Sequence, residues 1–298
     1  MESFSLLVVG FVTGVVVFVV AQWIAAQRGP KDALLFSVAS DSPHRKTCQK
    51  DARLTWPTTR QGHHQGQGTP RHIAFIMDGN RRYGTKRFGH ERRLDGHDEG
   101  GKKLSEVLQW CLEAGLREVT CFAFSTENWS RDAGEIDFIM QTFLGRSEEI
   151  SRTARTKGIC VKILATNAER LPMNVRSVLE RLERDTLGFS NLTLNLAISY
   201  GARSELVMAT QRLCRAAIKD GINPGEIDED RLEANLLMAS APDILVRTSG
   251  ERRISNFLLW QLAYTELVFL DTLWPDLKQS EFLRVIGDFE SRQRRFGR

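Results

Sequence analysis

The sequence lacks the markers of several common protein classes. It has only five cysteines in 298 residues, and no two of them have the Cys-x-x-Cys spacing of a zinc or redox site. Scattered cysteines in odd number are typical of a reducing compartment rather than of a disulfide framework. The formal net charge is only +4, and no block of Lys and Arg dominates one segment. Nucleic acid is therefore not an expected partner.

Two nucleotide-binding motifs are also missing. There is no GxxxxGK[ST] sequence, which argues against a P-loop nucleotide hydrolase. No GxGxxG follows the first apolar run of the main part of the chain, which argues against a dinucleotide-binding fold. The apolar content of 42% and the charged content of 26% indicate an ordinary globular core with a solvated surface.

A long apolar run is present at the amino end. Residues 3–27 contain no charge, and about 20 such residues in a helix span a bilayer. A cleaved signal peptide is the alternative, but its apolar part is shorter and follows positive charge, whereas here Arg28 and Lys31 come after the run. We therefore predict a membrane anchor at 1–28, with the rest of the chain in the cytosol by the positive-inside rule.

Residues 29–70 have the composition of a flexible linker. The segment 57–70 is rich in Gln, Gly, Thr and Pro, and it has too few apolar residues to offset the loss of chain entropy on folding. The folded domain is predicted to occupy residues 71–298.

In this domain, apolar runs of strand length alternate with amphipathic segments of helix length. Strands are predicted at 72–77, 118–125, 159–165, 192–200, 243–248 and 266–270. Helices are predicted near 98–114, 134–157, 171–187, 202–219, 228–239 and 278–294. The alternation predicts a single α/β domain whose mostly parallel six-stranded sheet is covered by helices.

Polar side chains follow three of these strands, at 78–82, 124–131 and 247–257. Because ligands bind at the carboxyl ends of strands in an open α/β sheet, we expect the three groups to converge. Several arginines favour phosphate groups, and carboxylates such as Asp78 and Glu266 suit Mg²⁺ when diphosphate oxygens complete its ligands. From the first stretch alone, Asp78 as a plain helix cap remains an alternative.

Taken together, these segments resemble the cis-prenyltransferases, the undecaprenyl and dehydrodolichyl diphosphate synthase family. The matching stretches are 73-IAFIMDGNRR-82, 96-GH-97, 122-FAFSTENWSR-131, 195-NLAISYGAR-203 and 247-RTSGERRISNFLLWQLAYTEL-267. The chain lacks the DDxxD pair of the all-helical trans-prenyl synthases. The resemblance implies that residues 71–298 form the catalytic domain of a homodimeric or heterodimeric enzyme, with a hydrophobic tunnel beside the sheet.

The activity that the resemblance implies is the addition of isopentenyl diphosphate units to an allylic starter, usually farnesyl diphosphate, with Mg²⁺. The product would be a long-chain polyprenyl diphosphate for dolichol or glycosyl-carrier lipid synthesis. The predicted anchor and linker suggest that the enzyme lies at the endoplasmic reticulum membrane. No insertion lengthens the predicted helix at 134–157, which would line the tunnel, so about ten to twelve isoprene units are expected. The alternatives are a short-chain synthase or a non-catalytic membrane subunit, although Asp78, Arg247 and Arg253 are all retained.

The resemblance also implies roles for single residues. Asp78 would be catalytic and hold Mg²⁺ with Glu266, while Asn128 would assist proton loss or position a substrate, since an amide is a poor base. Substrate-binding residues near Asp78 would be Gly79, Asn80, Arg81, Arg82, Tyr83, Arg93 and His97. The loop that orients the condensing double bond would contain Ser125, Thr126, Glu127, Trp129 and Arg131. The remaining substrate-binding residues would be Arg247, Arg253 and Ser255, with Arg295 and Gly297 in the C-terminal tail.

Overall fold

The computed structural model of this chain describes residues 68–292. The predicted anchor at 1–28, almost all of the predicted linker at 29–70, and Arg295 and Gly297 lie outside these residues. Between residues 68 and 292, no helix is long and apolar enough to cross a bilayer. The membrane anchor therefore stays a prediction.

Six strands form one parallel sheet. They are β1 His72–Ile76, β2 Glu118–Ser125, β3 Ile159–Leu164, β4 Leu192–Tyr200, β5 Ile244–Arg247 and β6 Glu266–Phe269. Their order across the sheet is β3-β4-β2-β1-β5-β6, and every neighbouring pair is parallel. The predicted α/β class and the six strands are confirmed, because strands buried on both faces give continuous apolar runs that can be read from the sequence.

The helices are α1 Asn80–Phe88, α2 Gly96–Glu113, α3 Ala133–Lys157, α4 Met173–Thr186, α5 Ala202–Asp220, α6 Glu229–Glu233 and α7 Gln279–Ser291. The short α1 was not predicted, because only Tyr83 and Phe88 among its nine residues are large and apolar. The helix predicted at 228–239 was too long, since only the segment of α6 is helical there.

Both faces of the sheet are buried. On one face, Ile73 and Phe75 of β1 pack in a core with side chains of α2, α3, α4 and α7. On the other face, Ala74 and Ile76 pack with Tyr200 and Phe257. The alternation of β1 side chains between two cores fixes the register of this strand, because a slip by one residue would exchange the two sets.

The register places the ends of three strands together. Ile76 at the end of β1 is paired with Phe122 of β2 and with Arg247 at the end of β5. The segments that leave β1, β2 and β5 therefore meet at the carboxyl edge of the sheet, which is where the predicted site residues were expected to converge.

Candidate active site

The backbone of Asp78, just beyond β1, is held by two residues from distant parts of the chain. Its N–H donates to Thr248 Oγ1 at 3.0 Å, and the Thr248 hydroxyl donates to the Asp78 carbonyl at 2.7 Å. The Trp274 N–H donates to the same carbonyl at 3.0 Å. No side chain caps the amino end of α1, so the helix-cap alternative for Asp78 is wrong and its carboxylate faces the cleft.

Gly79 makes the turn from β1 into α1 possible. Its φ of 107° lies in the left-handed region that residues with a side chain rarely adopt. A Cβ at this position would lie 2.9 Å from Leu273 Cδ2 and 3.1 Å from Ser249 Cβ. Only glycine fits this close approach, which brings the start of α1 against the segment after β5.

Two arginines meet the Asp78 carboxylate. Arg247 Nη2 donates to Asp78 Oδ2 at 2.9 Å, and Arg82 Nη2 lies 3.5 Å from Asp78 Oδ1. Burial raises the pKa of Asp78, but the hydrogen bond and charge of Arg247, together with the charge of Arg82, outweigh it and lower the pKa. The carboxylate is therefore ionised at neutral pH.

Arg247 joins this carboxylate to the segment that follows β5. Its side chain is only 5% exposed, although it is charged. Its Nη1 donates to Ser255 Oγ at 2.8 Å and also to the Arg253 carbonyl. A buried guanidinium with three fixed partners is a rigid donor, so Arg247 presents its charge to the cleft in one orientation.

A second arginine pair is held by Glu135, in the first turn of α3. Glu135 Oε2 lies 3.3 Å from Arg81 Nη1, and Glu135 Oε1 lies 2.9 Å from Arg131 Nη1. Glu135 is 5% exposed and has no place among the predicted site residues. The sequence did contain a signal for Glu135, because it follows Arg131 by four residues, a spacing at which opposite charges often pair.

His97 lies beside these arginines, at the start of α2. Its Nε2 is buried and has no hydrogen-bond partner within residues 68–292. Burial, followed by the charges of Arg131 and Arg81, lowers the pKa of His97 to about 4. The imidazole is therefore neutral at pH 7, with one nitrogen available to a ligand.

The turn after β2 is closed by two reciprocal hydrogen bonds. The Asn128 N–H donates to Ser125 Oγ at 3.2 Å, and the Ser125 N–H donates to Asn128 Oδ1 at 3.1 Å. Because the amide oxygen of Asn128 accepts from the backbone, its NH₂ group remains for a ligand. Asn128 is thus placed as a hydrogen-bond donor, not as a base.

The cleft at this edge has a volume of about 870 Å³, and its lining includes two large groups of side chains. One group is basic and includes Arg81, Arg82, Arg131, Arg247 and Arg253. The other group is apolar and consists of Ile76, Met77, Phe122, Ala123, Phe124 and Ile139. Such a lining suits a ligand that combines a polyanionic group with a hydrocarbon chain.

Comparison with known sequences supports this chemistry. Residues 76–297 match the family described as "Putative undecaprenyl diphosphate synthase". The chain is 43% identical to the tritrans,polycis-undecaprenyl-diphosphate synthase (geranylgeranyl-diphosphate specific) of Thermococcus kodakarensis, over 77% of this chain and 87% of that protein. It is 39% identical to the isoprenyl transferase of Aquifex aeolicus, over 77% of this chain and 96% of that protein.

The chain belongs to the cis-prenyltransferase family.

Solved structures agree with this assignment. The lavandulyl diphosphate synthase of Lavandula x intermedia, solved with dimethylallyl diphosphate, aligns with a TM-score of 0.73 at 28% identity, over 77% of this chain and 99% of that one. A probable undecaprenyl diphosphate synthase of Campylobacter jejuni aligns with a TM-score of 0.65 at 33% identity, over 78% of this chain and 100% of that one. The resemblance seen in the sequence is confirmed, and this cis-prenyltransferase is an enzyme that makes prenyl diphosphates.

The structure brings most of the predicted site residues of the cis-prenyltransferase together. Those that line the cleft are Asp78, Gly79, Asn80, Arg81, Arg82, Arg93, His97, Ser125, Asn128, Arg131, Arg247, Arg253 and Ser255. Residues that line it without having been predicted are Thr85, Lys86, Glu251 and the apolar group named above.

Four predicted substrate contacts do not line the cleft. Tyr83 packs edge-on against Phe88 at 6.2 Å between ring centroids. Thr126 and Glu127 form the outer part of the turn after β2, where Glu127 binds Asn256. The Trp129 indole donates to Ser199 Oγ at 2.9 Å. In this arrangement these four side chains contact other protein groups, and their direct contact with substrate stays a prediction.

The prediction that Glu266 joins Asp78 at a metal site is wrong within the single chain. Glu266 opens β6 and pairs with Ile244, whereas Phe269 pairs with Arg247. Glu266 therefore lies toward the amino edge of the sheet, roughly 10 Å along the strand from the level of Arg247. Its carboxylate binds Arg292 Nη1 at 2.9 Å. The sequence could have indicated this, because the first residue of a strand in a parallel sheet lies at the amino edge. The neighbouring strands end at the opposite, carboxyl edge.

Proposed function

We propose that this cis-prenyltransferase condenses isopentenyl diphosphate with an allylic diphosphate starter, farnesyl diphosphate, and that it repeats the reaction to make a long-chain polyprenyl diphosphate. The observation that supports this proposal best is the cleft in which Asp78 and six arginines lie beside six apolar side chains. Arginine forks suit diphosphate oxygens, and the apolar group suits a prenyl chain.

Each of the two diphosphates is assigned to its own set of basic and polar side chains in the cleft. Arg81, Arg82, Arg93 and His97, with the amino end of α1, would hold the allylic diphosphate, because a helix amino end with basic side chains favours an anion. Arg247, Arg253 and Ser255 would hold isopentenyl diphosphate. Asp78 lies between the groups, since it contacts both Arg82 and Arg247.

Mg²⁺ is the expected cofactor, and the chemistry of the donors fits it. Two carboxylate side chains, Asp78 and Glu251, line the cleft. Asp78 is ionised at neutral pH. Residues 68–292 contain no group of three or more metal-binding side chains. This agrees with Mg²⁺ binding through one or two carboxylates and substrate phosphates. When bound, Mg²⁺ would neutralise part of the diphosphate charge.

The reaction forms a bond between C4 of isopentenyl diphosphate and C1 of the starter. The C1–O bond of the starter breaks, its electron pair leaves with the diphosphate, and C2 of the isopentenyl group loses a proton. Arg81, Arg82 and neighbouring donors would stabilise the negative charge that develops on the leaving diphosphate. The free NH₂ of Asn128 would orient a diphosphate oxygen, and a diphosphate would be the better proton acceptor.

Homodimer formation and membrane attachment are further parts of the proposal. β6 is an edge strand, and Leu259, Tyr264 and Leu267 near it are 37%, 77% and 45% exposed. An apolar edge of this kind is usually covered, which supports a second copy or a related subunit there. The predicted anchor at 1–28 supports location at the endoplasmic reticulum and a role in dolichol synthesis.

One experiment tests both starter and product. The purified chain would receive Mg²⁺, labelled isopentenyl diphosphate and either farnesyl or geranylgeranyl diphosphate, because the name of the Thermococcus relative specifies the latter. We expect elongation from farnesyl diphosphate to a main product of about ten to twelve units, since α3 has no added segment to enlarge the apolar cavity. A main product of three or four units, or the absence of elongation with farnesyl diphosphate, would contradict the proposal.

A further inference from the structure

The segment that follows β5 has an unusual backbone. Ser249, Ser255, Asn256 and Leu258 all have positive φ although none is glycine. Such a backbone conformation is unfavourable for residues other than glycine and persists only when the surroundings hold it. The segment also contains Arg253 and Ser255, so the contacts that hold it determine the position of proposed isopentenyl diphosphate ligands.

Asn256 makes three of these contacts. Its Oδ1 accepts from the Arg203 N–H at 2.9 Å, and its carbonyl accepts from the Ala202 N–H at 2.9 Å, at the amino end of α5. Its Nδ2 donates to Glu127 Oε1 at 2.8 Å. Its φ of 59° is a conformation that Asn tolerates better than most residues.

Gly201 leaves the space in which this junction forms. A Cβ on Gly201 would lie 2.4 Å from Thr126 Oγ1 and 2.8 Å from Asn256 Nδ2. The turn after β2, the end of β4 and the segment after β5 are thus in direct contact at one point. The hydrogen bond between Asn256 and Glu127 is the side-chain link between the first and the third of these segments.

Each end of this hydrogen bond is next to a residue of the cleft. Asn256 follows Ser255, which accepts from Arg247 at 2.8 Å, and Glu127 precedes Asn128. Burial raises the pKa of Glu127, but the hydrogen bond from Asn256 and further hydrogen bonds outweigh it and lower the pKa. The acceptor is therefore ionised, which strengthens the bond to Asn256.

We propose that Asn256 is a positioning residue that, through Glu127, sets the distance between the Asn128 turn and the segment containing Arg253 and Ser255. This inference rests on the proposed function, in which Asn128 orients a diphosphate oxygen and the segment after β5 holds isopentenyl diphosphate. Bond formation requires the reacting carbons to be held close together, and a displacement of about 1 Å can cost about 100-fold in rate. Asn256 thus affects the rate of condensation without touching a substrate.

The decisive variant is Asn256→Asp. Aspartate keeps an oxygen for the Arg203 N–H and tolerates the same φ, but it replaces the donor to Glu127 by a carboxylate that repels it. We expect kcat to fall by about 10- to 100-fold, with the KM for the allylic diphosphate changed by less than about threefold. If Asn256 only capped α5, this substitution would leave kcat unchanged, because aspartate keeps the acceptor oxygen for the Arg203 N–H.

The double variant Glu127→Gln with Asn256→Asp provides the matched rescue. The introduced glutamine can donate through its Nε2 to the introduced carboxylate, so the hydrogen bond returns with donor and acceptor exchanged. Glu127→Gln alone can still accept from Asn256 through its Oε1. Of these proteins, only Asn256→Asp with Glu127 unchanged should therefore have a low kcat. The double variant should have a kcat at least about tenfold higher than that of Asn256→Asp.

A second measurement does not depend on activity. Amide hydrogen exchange of residues 126–130 should accelerate in Asn256→Asp and return toward the wild-type rate in the double variant. If wild type elongates the starter but Asn256→Asp has wild-type kcat, or if the double variant recovers neither kcat nor protection, the inference is overturned. If wild type elongates no starter, the proposed function fails, and the exchange rates still decide whether Asn256 holds the two segments together.

Discussion

Replacement of Arg247 by alanine tests the proposed isopentenyl diphosphate site most directly. The wild-type side chain is 5% exposed and its partners hold the guanidinium in one orientation. A charge-assisted hydrogen bond to a diphosphate is worth about 1.5–3 kcal/mol. Its loss corresponds to a rise of about 10- to 150-fold in the KM for isopentenyl diphosphate.

The same variant should also lose stability, because Asp78 loses its nearer cation. Breaking a buried ion pair costs about 3–5 kcal/mol. Asp78 is 31% exposed and Arg82 stays near it, so solvent and the second arginine reduce the loss, to about 2–3 kcal/mol. For a folded domain of this size, that loss lowers the Tm by roughly 4–12 °C.

The assay measures the KM for each substrate, kcat and the Tm for Arg247→Ala, Arg247→Lys and Arg252→Ala. Lysine keeps the charge but lacks the fork, so it should recover only part of the affinity. Arg252 is exposed and does not line the cleft, so its alanine variant is the matched control and should behave as wild type. A folded Arg247→Ala protein whose KM for isopentenyl diphosphate is within about twofold of wild type would refute the reasoning.

Three further predictions concern other parts of the chain. Asp78→Asn should lower kcat by orders of magnitude in a folded protein, because an amide still accepts from Arg247 but supplies no charge for Mg²⁺; near-normal turnover would exclude the metal role. The pKa of His97 is about 4 when folded, below its ordinary value of 6.5, so the unfolded state binds the proton first. The contribution of His97 to the free energy of unfolding should therefore be fully present above about pH 6.5 and fall by up to about 3 kcal/mol toward pH 4. Denaturant titrations should show a flatter pH dependence for His97→Gln, and an unchanged slope would contradict this account. Deletion of residues 1–30 should release the enzyme from membranes and leave activity measurable in detergent; a truncated protein that stays with the membrane fraction would exclude the anchor.

Much of the fold could be predicted from the sequence because its signals are local. The six strands are short apolar runs between polar segments, and burial on both faces makes each run nearly continuous. The convergence of the segments after β1, β2 and β5 followed from a general property of parallel sheets. Helix α1 was missed because its residues are mostly charged and show no apolar stripe.

The arrangement within the site depended on contacts between distant residues. Asp78 and Arg247 are 169 positions apart, and their pairing results from the register of β1 with β5. The register of β5 with β6 likewise places Glu266 away from Asp78, although both carboxylates lie at ends of strands.

The sequence by itself determined the six strands and their α/β class, because continuous apolar runs are a local signal. It also predicted that the polar segments after β1, β2 and β5 meet at the carboxyl edge, and its resemblance to the cis-prenyltransferases implied diphosphate chemistry there. Only the tertiary structure decided which partner each polar group has. Glu135 binds two arginines, and Asn256 links two segments that follow different strands. Hydrogen bonds act over about 3 Å, and the positions of two segments far apart in the chain are set only when the sheet and its helices have packed.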